Sequence, residues 1–161
     1  MYTREALLDV HERAHRSFRK LIAHAGGLGP GALDRELPGF GYPTIQLQVH
    51  HVIGCEEYWL GVIRGNFRAE DDAERYPTVN ELERYRDEVA RTTAAYLGAA
   101  SAGELNTPRE MMTWQGARRL LVPAHIILRT QTHLFQHQGQ VLAMCRLLEH
   151  PAPPGFDFPL D

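Results

Sequence analysis

The chain has 161 residues, 43% of them hydrophobic and 23% charged, with a formal net charge of −3 at pH 7. That size and balance predict one globular domain over residues 1–161 with a single sizeable core, and the slight acidity leaves no basic field for nucleic acid. No run of about 18 apolar residues could span a bilayer, and the opening Met-Tyr-Thr-Arg-Glu is no signal peptide, so a cytoplasmic protein without a membrane partner is expected.

Leu7, Val10, Ala14, Phe18, Leu21 and Ile22 recur at helical spacing and predict a first helix over residues 3–25. His11 falls in the middle of that apolar stripe and His15 on its flank. His11 is either a buried histidine with one hydrogen bond or a side chain directed into an interior site. The glycines and proline after Ala25 end the helix. Residues 30–42 read as a loop, and Pro43 suits the first turn of a second helix that runs to about Arg64 and stops at Gly65.

On the second helix the period separates two adjacent histidines. His50 shares its side with Gln46 and Glu57 and is expected near solvent. His51 shares its side with Leu47, Cys55, Tyr58 and Val62 and is expected to face inward. Glu56 lies among Val49, Val52, Trp59, Leu60 and Ile63, where a carboxylate is costly unless paired. It either orients a ligand histidine or holds an arginine or a backbone N–H. Cys55 and Cys145 form no CxxC pattern and read as reduced core thiols.

Residues 65–77, with Glu70-Asp-Asp72 and Glu74, read as a solvated connection. Thr78-Val-Asn-Glu81 is a capping box that opens a third helix to about Ala100, with Ala102-Gly103 ending it. Residues 104–121 fit either a short hairpin or an extended crossing loop. Pro123 begins the last helix, to about Glu149. Its inner stripe is Ile126, Thr130, His133, His137, Val141, Met144 and Leu148, with Arg129 and Gln140 at its edge. The proline-rich tail, 150–161, is expected to extend over the body or a neighbouring subunit through Phe156 and Phe158. Four long amphipathic segments predict an all-α four-helix bundle, and the long loops before the second and fourth helices require at least one crossover connection.

The chemistry concentrates in His133-Leu-Phe-Gln-His137-Gln-Gly-Gln140. Histidines four apart on a helix share a face, with Cβ atoms about 5–6 Å apart. Such a pair can chelate one metal at bonds of about 2.0–2.1 Å. His51 is the best candidate for a third ligand. Three neutral imidazoles with an open coordination position are the catalytic kind of site. Imidazole suits zinc, nickel, copper and iron alike.

In their order, these features resemble the DinB/YfiT-type superfamily of metal-binding four-helix bundles. Three stretches carry the resemblance: His51-Val-Ile-Gly-Cys-Glu56-Glu-Tyr-Trp59, then the irregular segment before the last helix, then His133 to Gln140, which is similar to the family's HxxxHRGQ. The resemblance implies that His51, His133 and His137 hold a divalent zinc, nickel, manganese or iron ion, and that the protein is a homodimer. Gln138 stands where the family often has arginine. Arg129 stands where many relatives have another histidine; it would bind an anionic group of a substrate or pair with an acid such as Glu56.

Some relatives transfer a low-molecular-weight thiol such as bacillithiol, mycothiol or glutathione to an electrophile. In that role His11, Glu56, Arg129 and Gln140 are the candidates to orient substrate or move a proton. The alternatives are a metal-dependent hydrolase with Glu56 as general base, and a non-catalytic, stress-related metal-binding protein.

Overall fold

The computed structural model describes residues 1–67 and 72–161; Glu70 and Asp71 of the acidic run lie outside the described residues. Helix α1 spans Arg4–Ala25, opened by Thr3, whose side chain accepts from the Ala6 N–H. Helix α2 spans Ile45–Arg64. Thr44 caps it, with Oγ1 accepting from the Leu47 N–H at 3.1 Å. Pro43 therefore sits ahead of the cap rather than in the first turn, because threonine's oxygen can satisfy a helix-end donor and proline has nothing to offer there. Gly65 ends α2 at φ 73°, the left-handed conformation that glycine adopts without a Cβ clash. The chain then turns back so tightly that a Cβ on Gly61 would lie 2.6 Å from Phe67 Cα.

Helix α3 spans Val79–Ala99, and both hydrogen bonds of the Thr78–Glu81 capping box are formed. Ala102-Gly103 does not simply end the helical region. Ser101 Oγ accepts from the Glu104 N–H at 3.1 Å and starts a short helix α4, Ala102–Asn106. Of the two expectations for the next segment the hairpin is the one observed. Strand β1, Arg109–Met112, pairs antiparallel with β2, Arg118–Leu121, and Arg109 stands opposite Leu121. Helix α5 spans Pro123–Leu147, with the proline in its first turn.

The long helices α1, α2, α3 and α5 form the bundle. Helix α1 packs against α3 and α5, and so does α2. Thus α1 and α2 face each other across one diagonal, and α3 and α5 across the other. The α1–α2 connection and the segment carrying α4 and the hairpin are both crossovers. The apolar interior falls into two clusters. One holds Phe18, Leu21, Val49, Ile53 and Met144; the other holds Leu7, Ile63, Leu97, Leu105 and Ile127. By their positions on α1 and α2, His11, His15 and Glu56 lie between the two.

The tail folds onto its own chain. Phe156 is buried, Phe158 packs on Phe135 with ring centroids 5.9 Å apart, and Lys20 donates to the Gly155 carbonyl at 2.7 Å. Gln138 serves this contact. Its amide donates to the Phe156 carbonyl and accepts from Ser17 Oγ at 3.2 Å. Among the described residues no helix is long and apolar enough to cross a membrane.

Candidate metal centre

Helices α2 and α5 lie side by side, and their histidines meet. One nitrogen each of His51, His133 and His137 falls within 4.8 Å of the other two. The ring centroids are 5.1 Å apart for His51–His133, 4.9 Å for His51–His137 and 4.4 Å for His133–His137. His137 is buried and the other two are half-buried. Burial pushes the His51 imidazole down to about 4, and neighbouring His137, His133 and Arg129 add to the effect. His133 is likewise pushed to about 4 by burial, His137 and Arg129. Burial also lowers His137. All three are therefore neutral at pH 7, the state in which imidazole binds a metal. His133 Nδ1 is buried without a hydrogen-bond partner among the described residues. A neutral, converging donor set with an orphaned ring nitrogen fits a divalent transition metal.

The surroundings hold these rings in place. His137 Nδ1–H donates to Gln48 Oε1 at 2.5 Å. The Gln48 amide nitrogen donates to the Tyr42 carbonyl at 2.9 Å and to Gln140 Oε1 at 3.0 Å. The Tyr42 ring stacks on His51 with centroids 4.1 Å apart and planes at 22°. A mostly apolar cavity of about 410 Å³ opens beside His51, walled by Tyr42, Leu47, Cys55, Tyr58 and Trp114.

Two of the residues expected to act on substrate flank this centre. Gln140 is half-buried and holds Gln48. Arg129 lies at the rim, its guanidinium 4.9 Å above the Trp59 ring and its Nη1 3.9 Å from Cys55 Sγ. It makes no pair with Glu56. Its guanidinium lies over the Trp59 ring instead, in a cation–π contact. Burial pushes the Cys55 thiol up, and the Arg129 charge only partly offsets this.

The other two, His11 and Glu56, belong to a separate buried cluster between α1 and α2. His11 Nε2–H donates to Glu56 Oε1 at 3.0 Å, and His15 Nε2–H donates to Oε2 at 2.8 Å. Among the described residues Glu56 thus neither orients a ligand of the three-histidine centre nor meets an arginine or a backbone N–H. Burial pushes its carboxyl up, but the charge and hydrogen bonds of His15 and His11 outweigh this and hold it well below the usual range. Burial lowers His15 in spite of Glu56.

These three groups also offer donor atoms within 4.8 Å of one another. Their protons, however, are already placed. Arg86, 1% exposed, donates from Nη1 to His15 Nδ1 at 3.4 Å, which puts that ring's hydrogen on Nε2, facing the carboxylate. His11 Nδ1 has no hydrogen-bond partner among the described residues, but the nitrogens that face Glu56 are already bonded to it. The three-histidine centre is the better metal site because its converging rings have no carboxylate among them.

Sequence periodicity brought His51, His133 and His137 together correctly. It misplaced His50, which is buried rather than near solvent, with Tyr76 and Tyr85 ring centroids 5.5 and 5.7 Å away. It overlooked Gln48 and Tyr42. The available signal for Gln48 was its position three residues before His51, on the same helical face.

A sequence model of the DinB superfamily matches residues 7–141, a segment that includes all three histidines. No curated relative matches the chain.

Proposed function

The chain belongs to the DinB superfamily, and on that footing we propose that it is a metal-dependent transferase joining a low-molecular-weight thiol to an apolar electrophile. His51, His133 and His137 would hold the divalent ion. A bound ion of this kind supplies Lewis acidity and stabilises a thiolate at neutral pH. The observation that carries the proposal is the apolar cavity, which is lined by His51 of the three histidines, since a purely structural metal needs no cavity beside it.

Tyr42, Tyr58 and Trp114 offer aromatic faces to the carbon skeleton of the electrophile and exclude water from it. Arg129, its guanidinium 4.9 Å from the Trp59 ring centroid and its Nη1 3.9 Å from the cavity-lining Cys55 Sγ, would offer its charge to a carboxylate of the thiol. The thiol sulfur forms the new bond to carbon. With an epoxide, the C–O bond breaks and the thiol proton ends on the released oxygen. A hydrolase would need a general base in the same cavity, and Glu56 is held by His11 and His15 elsewhere. A homodimer belongs to the same proposal and is read by sedimentation.

The test is metal content by mass spectrometry, followed by thiol addition to monochlorobimane and to an epoxide. About one ion per chain is expected, lost in His51→Ala and in His137→Ala. Metal-loaded protein should then outpace the metal-stripped control with at least one of the thiols. Equal rates with every thiol would count against transfer, and absence of bound metal would remove its basis.

A further inference from the structure

We infer that Gln48 is a positioning residue that decides which nitrogen His137 presents, and that the main-chain carbonyl of Tyr42 fixes the choice. A neutral imidazole carries one N–H and one lone pair, and its partner determines which nitrogen holds the proton. Gln48 is fully buried, so no water can take over its hydrogen bonds. Its amide could in principle sit either way round.

The Tyr42 carbonyl removes that freedom. A main-chain carbonyl can only accept, and it lies 2.9 Å from the Gln48 amide nitrogen. Turning the amide over would set oxygen against oxygen at a fully buried side chain. Gln140 Oε1 takes the second amide hydrogen at 3.0 Å, so both Gln48 N–H groups are used. The Gln48 oxygen must then face His137 Nδ1 at 2.5 Å, which makes Nδ1 the protonated nitrogen. Nε2 is left with its lone pair, made more basic by the hydrogen bond on the far side of the ring.

The same amide ties down a second ring. Through the Tyr42 carbonyl it anchors the residue whose side chain stacks on His51. One buried glutamine, braced from α5 by Gln140, therefore orients His137 directly and His51 through its stacking partner. The purpose of this arrangement rests on the metal-centre reading; the tautomer does not.

The experiment is long-range 1H–15N NMR on histidine-labelled, metal-free protein, with zinc affinity and urea stability measured alongside. Wild type should show His137 as the Nδ1–H tautomer. In Gln48→Met, which keeps the length and removes the amide, that tautomer should no longer dominate. Zinc binding should weaken about 10- to 100-fold, beyond any change in unfolding midpoint. In Gln140→Leu the tautomer should persist, because Tyr42 still orients the amide, and affinity should fall less.

A wild-type His137 protonated on Nε2 would overturn the inference without recourse to any variant. So would an unchanged tautomer and unchanged zinc affinity in folded Gln48→Met. If the tautomer switches as expected but wild type binds no zinc, nickel or manganese, the positioning role stands and the metal-centre reading fails.

Discussion

Glu56 shows how much a single buried carboxylate can organise. It accepts from imidazoles on two turns of α1, and the guanidinium of Arg86 on α3 reaches the outer nitrogen of one of them. Removing the carboxylate leaves two buried imidazole N–H donors without an acceptor, at a cost of about 1–3 kcal/mol each. Glu56→Leu should therefore lower unfolding free energy by about 3 kcal/mol while leaving metal content at the wild-type level. Urea titration and metal analysis on the same preparation would check both halves. Loss of metal with little loss of stability would instead give Glu56 a part in the metal centre.

The faces of His51, His133 and His137 were legible in the sequence because helical period alone fixes them. The partners of Glu56 were not, because they depend on how α1 and α2 register across the diagonal. His50 was misread for a related reason: Tyr76 and Tyr85, which cover it, come from other segments.

The helices themselves were largely legible from their capping chemistry. Thr78 and Glu81 announce α3, and Gly65 ends α2 as expected. Ser101 restarted a helix where Ala102 and Gly103 had suggested a stop, since a serine three residues ahead of a glutamate is itself a start signal. The glycine of the His133–Gln140 motif is a different matter. Nothing lies within 4 Å of where a Cβ on Gly139 would stand, and the residue is exposed in mid-helix with ordinary dihedrals. Gly139→Ala should stabilise α5 by about 0.5–1 kcal/mol. Thermal or urea unfolding would show it, and a destabilisation would mean that some partner approaches this face. Gly61 makes the contrast, because the Phe67 backbone occupies the space its side chain would need.

At the scale of the whole molecule, several buried groups share one direction of pH response. His51 and His133 are pushed to about 4, and His15 and Glu56 are also lowered. Unfolded histidine takes its proton near pH 6.5 and unfolded glutamate near about 4.3, so the unfolded chain binds more protons than the folded one in acid. Stability of the metal-free protein is therefore complete above about pH 6.5 and declines as pH falls from there toward 4, through the histidines. It declines further below about 4.3 as Glu56 meets its unfolded value. Urea midpoints at pH 7.5, 5.5 and 4 should fall in that order, and equal midpoints would contradict it.

The bundle class and the need for a crossover could be read from segment lengths. The diagonal arrangement could not, since loop length does not say which neighbour a helix chooses.

That arrangement has a topological consequence. The α2 and α5 histidines are neighbours in space, yet α3, α4 and the hairpin all lie between them along the chain. An ion joining them would act as a removable clasp, closing a loop that contains half the fold. Such clasps are most effective on long loops, because they withhold the most freedom from the unfolded chain. With the clasp shut, α3 and the hairpin could loosen or be nicked while α2 and α5 stay pinned together.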